Sequence, residues 1–305
     1  MNSPWIEALR SVALNVPDLA RAEDFYTRTW HLSVVTRLPN ALYLRGTGAD
    51  HHLLSLHLGD GPAQVRHVTL RARSAAALIA ISEAAVQAGG TLIQAPVQLV
   101  DDPAGGVGLL LRDPHGRLLQ VVHGDAQHAD VDERKDHPMR LAHTVLNSHD
   151  VPASQRFFEQ ALGFVLADRT RMMAFMNCNR DHHSIAFGDA DNDALNHVAF
   201  LMPDIDSVMR GGGRMKDAQH AIEWGPGRHG PGDNAFNYFI DPFGVVIEYT
   251  AEVEQIDAGY RVGSPADWTW PPGRVDQWGI SAPPSAPLKQ AQRSVFFVST
   301  VKDNA

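Results

Sequence analysis

An internal duplication constrains this chain more than its composition does, because each copy must be one folding unit. The segment ALNVPDLARAEDFYTRTWHLSVV from Ala13 aligns without a gap on VLNSHDVPASQRFFEQALGFVL from Val145. Leu14 then matches Leu146, Asn15 matches Asn147, Asp18 matches Asp150 and Phe25 matches Phe157, at an offset of 132 (145 − 13). Further along, DHHLLSLHLGD and DHHSIAFGD place His51 and His52 on His182 and His183, and RHVTLRA around His67 matches NHVAFLM around His197. Finally RDPHGRLLQVVHG from Arg112 matches IDPFGVVIEYTAE from Ile240, so Asp113 and Gly116 pair with Asp241 and Gly244.

Each copy opens with an apolar strand, a turn carrying Asp and an amphipathic helix with Phe or Tyr on its inner side. Alternating segments and Asp-Pro-x-Gly turns follow, which read as strands and hairpins. The helix expected over Ala75–Ala88 ends on paired glycines. These signals predict an α+β fold of two tandem modules, each of paired βαβββ units whose sheet curls into a half-open barrel. The expected boundaries are an N-terminal module at 1–124, a polar, charged linker at 125–137, a second module at 138–253 and a tail at 254–305. The tail is rich in Pro and Gly but holds three tryptophans, so it is expected to pack irregularly over the second module.

Composition excludes several classes. With 26 Lys plus Arg against 35 Asp plus Glu and a formal charge of −9, no global field holds a nucleic acid. A single cysteine, Cys178, rules out an internal disulfide framework and any multi-thiolate metal site within one chain, and it suits a reducing cytoplasm. The start MNSPWIEALRSV lacks a basic stretch followed by an apolar core, so no leader is expected, and no apolar run reaches membrane-spanning length. A cytoplasmic protein with no membrane partner is expected, associating as an even-numbered homo-oligomer.

Sixteen histidines direct attention to metal ligands. In the second copy His143 lies on the first strand, His197 on a later one and Glu248 on the last, spaced by 54 and 51 residues (197 − 143, 248 − 197). Inward side chains of a curled sheet converge, and two imidazoles with one carboxylate on one face of a divalent ion leave other positions open. A lone His or Glu on a strand is more often a hydrogen-bonded or surface residue. The first copy supplies a control: its matching positions are Ser11, His67 and Gln120, so the full set occurs once. Glu248 also lies in VVIEYT, where an unpaired carboxylate is costly and a cation offsets that cost.

Both modules resemble the vicinal oxygen chelate superfamily, and specifically its type I extradiol ring-cleaving dioxygenases. The most specific resemblance is GPGRHGPGDNAFNYFIDPFGVVIEYT from Gly225, in which His229, Tyr238 and Glu248 take the places of an active-site His, a Tyr and the metal-binding Glu. The resemblance implies His143 and His197 as the other metal ligands and His183, fourteen residues before His197, as the acid–base histidine. His182 is its rival, but adjacent strand residues face opposite ways. The implied cofactor is Fe(II), with Mn(II) compatible with the same ligands. The implied partners are O2 and a catechol, whose hydroxyls lose protons more readily near a cation. Ring opening would yield a semialdehyde.

Asn15 and Asn147, shared by both copies, read as turn or helix-entry residues, and Met172, Met173, Met176 and Cys178 as core or pocket wall. Trp224 stands just before GPG, and Arg228 is the only nearby cation for an acidic substituent. A neutral or weakly polar catechol is therefore expected, bordered by Trp224, Arg228, Phe175 and Trp278, the last serving chiefly to anchor the tail. The alternatives are a glyoxalase-like isomerase and a metal-free aromatic-binding protein. An isomerase drawing ligands from both modules would find Ser11 and Gln120 poor donors.

Overall fold

The structure, a computed structural model, describes residues 3–129 and 134–299. The first module contains β1 (Ile6–Val16), α1 (Leu19–Asp24), β2 (Ser33–Leu38), β3 (Ala41–Arg45), β4 (Leu54–Leu58), β5 (Gln64–Ala72), α2 (Ala75–Gln87), β6 (Thr91–Gln98), β7 (Val107–Arg112) and β8 (Leu118–His123). The second repeats the order with β9 (Arg140–Ser148), α3 (Val151–Leu162), β10 (Val165–Arg169), β11 (Met173–Asn177), β12 (Ile185–Asp189), β13 (Leu195–Leu201), α4 (Ile205–Asp217), β14 (Trp224–Arg228), β15 (Ala235–Ile240) and β16 (Val246–Ala251). Each module is one open eight-stranded mixed sheet, ordered β2-β3-β4-β1-β5-β8-β7-β6 and β10-β11-β12-β9-β13-β16-β15-β14. The paired βαβββ arrangement is thus present twice.

Local chemistry starts the helices where the sequence places them. Asp18, Ser74, Asp150 and Asp204 each accept a hydrogen bond from a first-turn backbone N–H, satisfying donors that the helix itself leaves open. Gly163 ends α3 at φ 68°, a left-handed conformation that needs no Cβ penalty. One face of α3 buries Phe157, Phe158, Ala161 and Leu162.

The two modules share a continuous core. Trp30 of the first stacks on Tyr249 of the second with ring centroids 3.6 Å apart. Truncating such a buried indole to alanine costs on the order of 3–5 kcal/mol. Tyr26 donates to Asp241 Oδ2 across the seam at 2.8 Å, while Arg117 donates to Asn147 O at 2.6 Å and Ser154 Oγ at 3.1 Å.

Asp125, in the expected linker, is buried: it is held by Arg10 and Arg71 of the first module. Residues 130–133 of that linker lie outside the described residues. The tail contains a short helix, α5 (Ala286–Ala291), and reaches both modules, bridging Val65 with Phe297 and Leu195 with Val295. Met172 is exposed rather than part of a wall, whereas Met176 and Cys178 are fully buried. Burial pushes the Cys178 thiol up to about 12. Among the described residues no helix is long and apolar enough to cross a membrane.

Candidate metal centre

His143, His197 and Glu248 come from β9, β13 and β16, three neighbouring strands of the second sheet. Ala199 on β13 lies directly across from both His143 and Glu248. Its methyl leaves room between their longer side chains, and His197, two residues away, projects to the same face. His143 Nε2 and His197 Nε2 each lie 3.2 Å from Glu248 Oε2 and 3.3 Å from each other. Adjacent ligands on an octahedral ion are separated by √2 bond lengths, so these edges correspond to bonds of about 2.3 Å. The donor set therefore fits one divalent ion on a triangular face. Among the described residues it is the one such group in which every member is buried.

The electrostatics agree with that fit. Burial alone would raise the Glu248 carboxyl, but His143, His197 and His229 outweigh it and hold it well below the usual range. Burial lowers His197 to about 4, leaving a neutral ring with a free lone pair. Its Nδ1 faces Asn196 Oδ1 at 2.8 Å, which fixes the proton on Nδ1 and presents Nε2 to the centre. Asn196 is held in turn by Asn147 Oδ1 at 2.8 Å, and Asn147 donates to the Gln292 carbonyl of the tail at 2.9 Å. Asn147 is thus a strand residue supporting this chain of amides, not a turn residue. Asp150 caps the helix instead.

His183 packs against His143 with ring centroids 4.3 Å apart, while His182 turns to Asp168, with its Nε2 3.0 Å from Oδ2. The Nδ1 atoms of His182 and His183 are 3.1 Å apart. Asp168 accepts, so His182 carries its proton on Nε2, His183 carries one on Nδ1, and Nε2 of His183 keeps a lone pair. Burial, then His143 and His182, holds His183 well below the ordinary histidine range. Asp168 also accepts from Tyr260 Oη at 3.0 Å and Gly263 N at 2.5 Å. Sequence reasoning missed this aspartate. Its counterpart in the first copy is Thr36, an asymmetry of the kind that singled out Glu248.

His229 Nε2 lies 3.0 Å from Tyr238 Oη and 3.7 Å from Glu248 Oε1. Burial and the nearby Glu248 carboxylate push the Tyr238 phenol well above its ordinary pKa, so it remains a donor at neutral pH. Trp224 borders both, 5.2 Å from His229 and 5.0 Å from Tyr238 between ring centroids. Phe175 stands edge-on to His183 at 5.0 Å, in an apolar cluster with Val145 and Ala186. Arg228 and Trp278 are placed differently. The Arg228 guanidinium pairs with Glu252 and with the Asp233 carbonyl, and lies over the Trp278 ring.

The first module shows why a cation site is complete only once. In both sheets the first strand has a bulge at the same place, with Arg10 as the extra residue in one and Ala142 in the other. A bulge turns its side chain to the concave face. Ala142 there packs with Ala199 and Val253. Arg10 instead sends a guanidinium to Ser11 Oγ at 2.9 Å and His52 Nε2 at 2.6 Å, the counterparts of His143 and His183. Asp125, the counterpart of Val253, holds it at 3.2 Å.

This doubled sheet, with one buried His-His-Glu set, defines the class, and the chain belongs to the Glyoxalase/Bleomycin resistance protein/Dioxygenase superfamily, whose model matches residues 8–121 and 140–249. Metapyrocatechase 2 of Cupriavidus necator is 28% identical over 309 residues, covering 91% of this chain and 90% of its own length. An iron-dependent extradiol dioxygenase of Rhodococcus jostii is 28% identical over 175 residues, 47% of this chain and 58% of that protein. The Mn(II)-bound glyoxalase from Novosphingobium aromaticivorans has a crystal structure that matches with a TM-score of 0.84 at 34% identity, over 91% of this chain and 92% of the other. Iron and manganese both occur among these relatives.

Proposed function

We propose that the protein is an extradiol dioxygenase that opens a catechol ring with O2 at an Fe(II) or Mn(II) ion held by His143, His197 and Glu248. The observation that carries this reading is the buried triangle of donors bordered by His183, His229 and Tyr238. The similarity to Metapyrocatechase 2 across both modules supports it. When bound, the ion supplies charge that favours the deprotonated diol and a route for electrons from the ring to O2.

The side chains do the rest. His183 Nε2 is an acceptor for a substrate proton and later returns it. Tyr238 donates from a phenol that stays protonated, and His229 Nε2, 3.0 Å from that phenol oxygen, stands beside it. Phe175, Val145, Ala186 and Trp224 offer an apolar border, while Arg228 is engaged with Glu252. A neutral or weakly polar catechol suits that wall. Both atoms of O2 enter the product, and the carbon–carbon bond beside the diol breaks to give a semialdehyde. A cytoplasmic homo-oligomer completes the proposal, with sedimentation as its check.

The test is anaerobic loading with Fe(II) or Mn(II), then air and a panel of substituted catechols, following O2 uptake and the yellow product. Consumption of O2 with product in equal amounts supports the reading. Stoichiometric metal with neither signal from any catechol overturns it and favours the isomerase reading, for which the 34% identical glyoxalase is the specific ground.

A further inference from the structure

A separate group of donors lies at the seam between the modules. His115 occupies the turn between β7 and β8 of the first module, His149 follows β9, and Asp193 precedes β13. One ring nitrogen of each histidine and one Asp193 oxygen lie within 4.8 Å of one another. His149 Nδ1 is 2.7 Å from Asp193 Oδ2, and the two rings meet edge to face with centroids 4.7 Å apart.

An ordinary surface ion pair between His149 and Asp193 is the simpler explanation, and three observations exceed it. First, Nε2 of His115 is shielded from solvent and has no hydrogen-bond partner, a state that buried polar atoms seldom keep. Second, Arg117 is shared by Asp113 at 2.7 Å and Asp193 at 3.0 Å, one guanidinium for two carboxylates. Arg112, on the rim, turns to the carbonyls of Gly116 and Val298 instead. Third, the repeat is an internal control: the counterparts of His115, His149 and Asp193 are Phe243, Pro17 and Ala63. Across the pseudo-twofold, Phe243 simply lies under Arg21. The fold needs none of these donors.

Among the described residues, the remaining group of this kind, the half-buried His31, Asp136 and His137, lacks this charge excess, because Arg214 lies 3.5 Å from the same Asp136 oxygen that faces His31. We propose that His115, His149 and Asp193 form a second transition-metal site, suited to Zn(II), that clips the two modules together. Two imidazoles and a carboxylate suit Zn(II), and the half-exposed His149 leaves a coordination position open to water. A cleft of about 520 Å³ lined by His115, Arg117, Asp193 and Phe297 gives an ion its approach. Binding draws the three donors inward, and the exposed His149 supplies that movement.

The experiment uses the full chain and Zn(II) alone, counting bound metal after equilibrium dialysis. Because the buried centre also takes metal, the count is repeated in the double variant His143→Ala, Glu248→Ala. The expected result is two equivalents in the parent and one in the double variant, with Zn(II) raising the melting temperature of both. Adding His115→Ala or, separately, His149→Ala should remove the remaining equivalent or weaken it by at least ~10-fold, and abolish its thermal shift. A parent that binds one equivalent overturns the proposal. So does a second equivalent that survives both single changes. His149 is exposed, so its variant keeps the test decisive if His115→Ala does not fold.

Discussion

Replacing Asp168 with asparagine should reverse two imidazole tautomers and slow turnover without releasing the metal. In the native chain Asp168 accepts from His182 Nε2, Tyr260 Oη and Gly263 N at 3.0, 3.0 and 2.5 Å. An asparagine would keep its oxygen for the short contact with Gly263 and turn its amide N–H toward His182. His182 must then carry its proton on Nδ1, which forces the His183 proton onto Nε2. The acceptor facing the substrate becomes a donor. A hydrogen bond to a charged group is worth about 1.5–3 kcal/mol, which at 1.36 kcal/mol per decade predicts a kcat about 10- to 150-fold lower. Loss of an acid–base group altogether costs about 10²- to 10⁴-fold, so His183→Phe sets the lower bound on rate. The assay is steady-state O2 uptake at saturating catechol, with metal content and histidine ¹⁵N shifts measured on the same sample. Tyr260→Phe is the control, since it removes one contact to Asp168 and leaves the tautomers alone. Undiminished kcat in a folded, metal-replete Asp168→Asn protein would refute the reasoning. So would an equal loss in Tyr260→Phe.

Ala142→Arg should copy the first module's arrangement into the second, place a guanidinium beside His143 and expel the metal; a normal metal count would show that the bulge does not decide occupancy. Tyr238→Phe should weaken catechol binding by about 2- to 12-fold, the worth of one neutral hydrogen bond, with metal content unchanged; unaltered affinity in a binding titration would assign the phenol to packing. Acid should destabilise the metal-free protein. Burial holds His57 and His197 at about 4 and His67 at about 3, so the unfolded chain binds more protons than the folded one below about pH 6.5. Stability should therefore fall as pH drops from about 6.5 toward 4, read by denaturant midpoints, and a flat profile would contradict the buried neutral rings.

The duplication made much of this architecture legible, because repeated strands, caps and turns obey short-range rules. The convergence of His143, His197 and Glu248 could be read for the same reason: comparison with Ser11, His67 and Gln120 separates what the fold requires from what one copy adds. Asp168 shows the same asymmetry against Thr36, but that comparison gives neither its role nor that of Asn196. Their importance lies in contacts to His182 and His197 made through side-chain geometry, which no local period encodes. Arg10 was equally hidden, since strict alternation would point it away from Ser11, and only the bulge brings both to one face. The assignment of Asn147 to a turn failed for a related reason: its partners are Asn196 and a carbonyl 145 residues away.

The tail gives the centre an order of construction. The three candidate ligands all precede residue 249, yet Gly263 and Tyr260 hold Asp168, Gln292 holds Asn147, and Val295 receives the N–H of Leu195 on the strand that bears His197. A chain made from its N-terminus can close both sheets before any of these supports exists. Residues made after both sheets therefore finish the site. A chain cut short after β16 would carry all three ligands and still lack the supports for His182 and Asn147. Activity in the cell thus reports on translation having run past Val295.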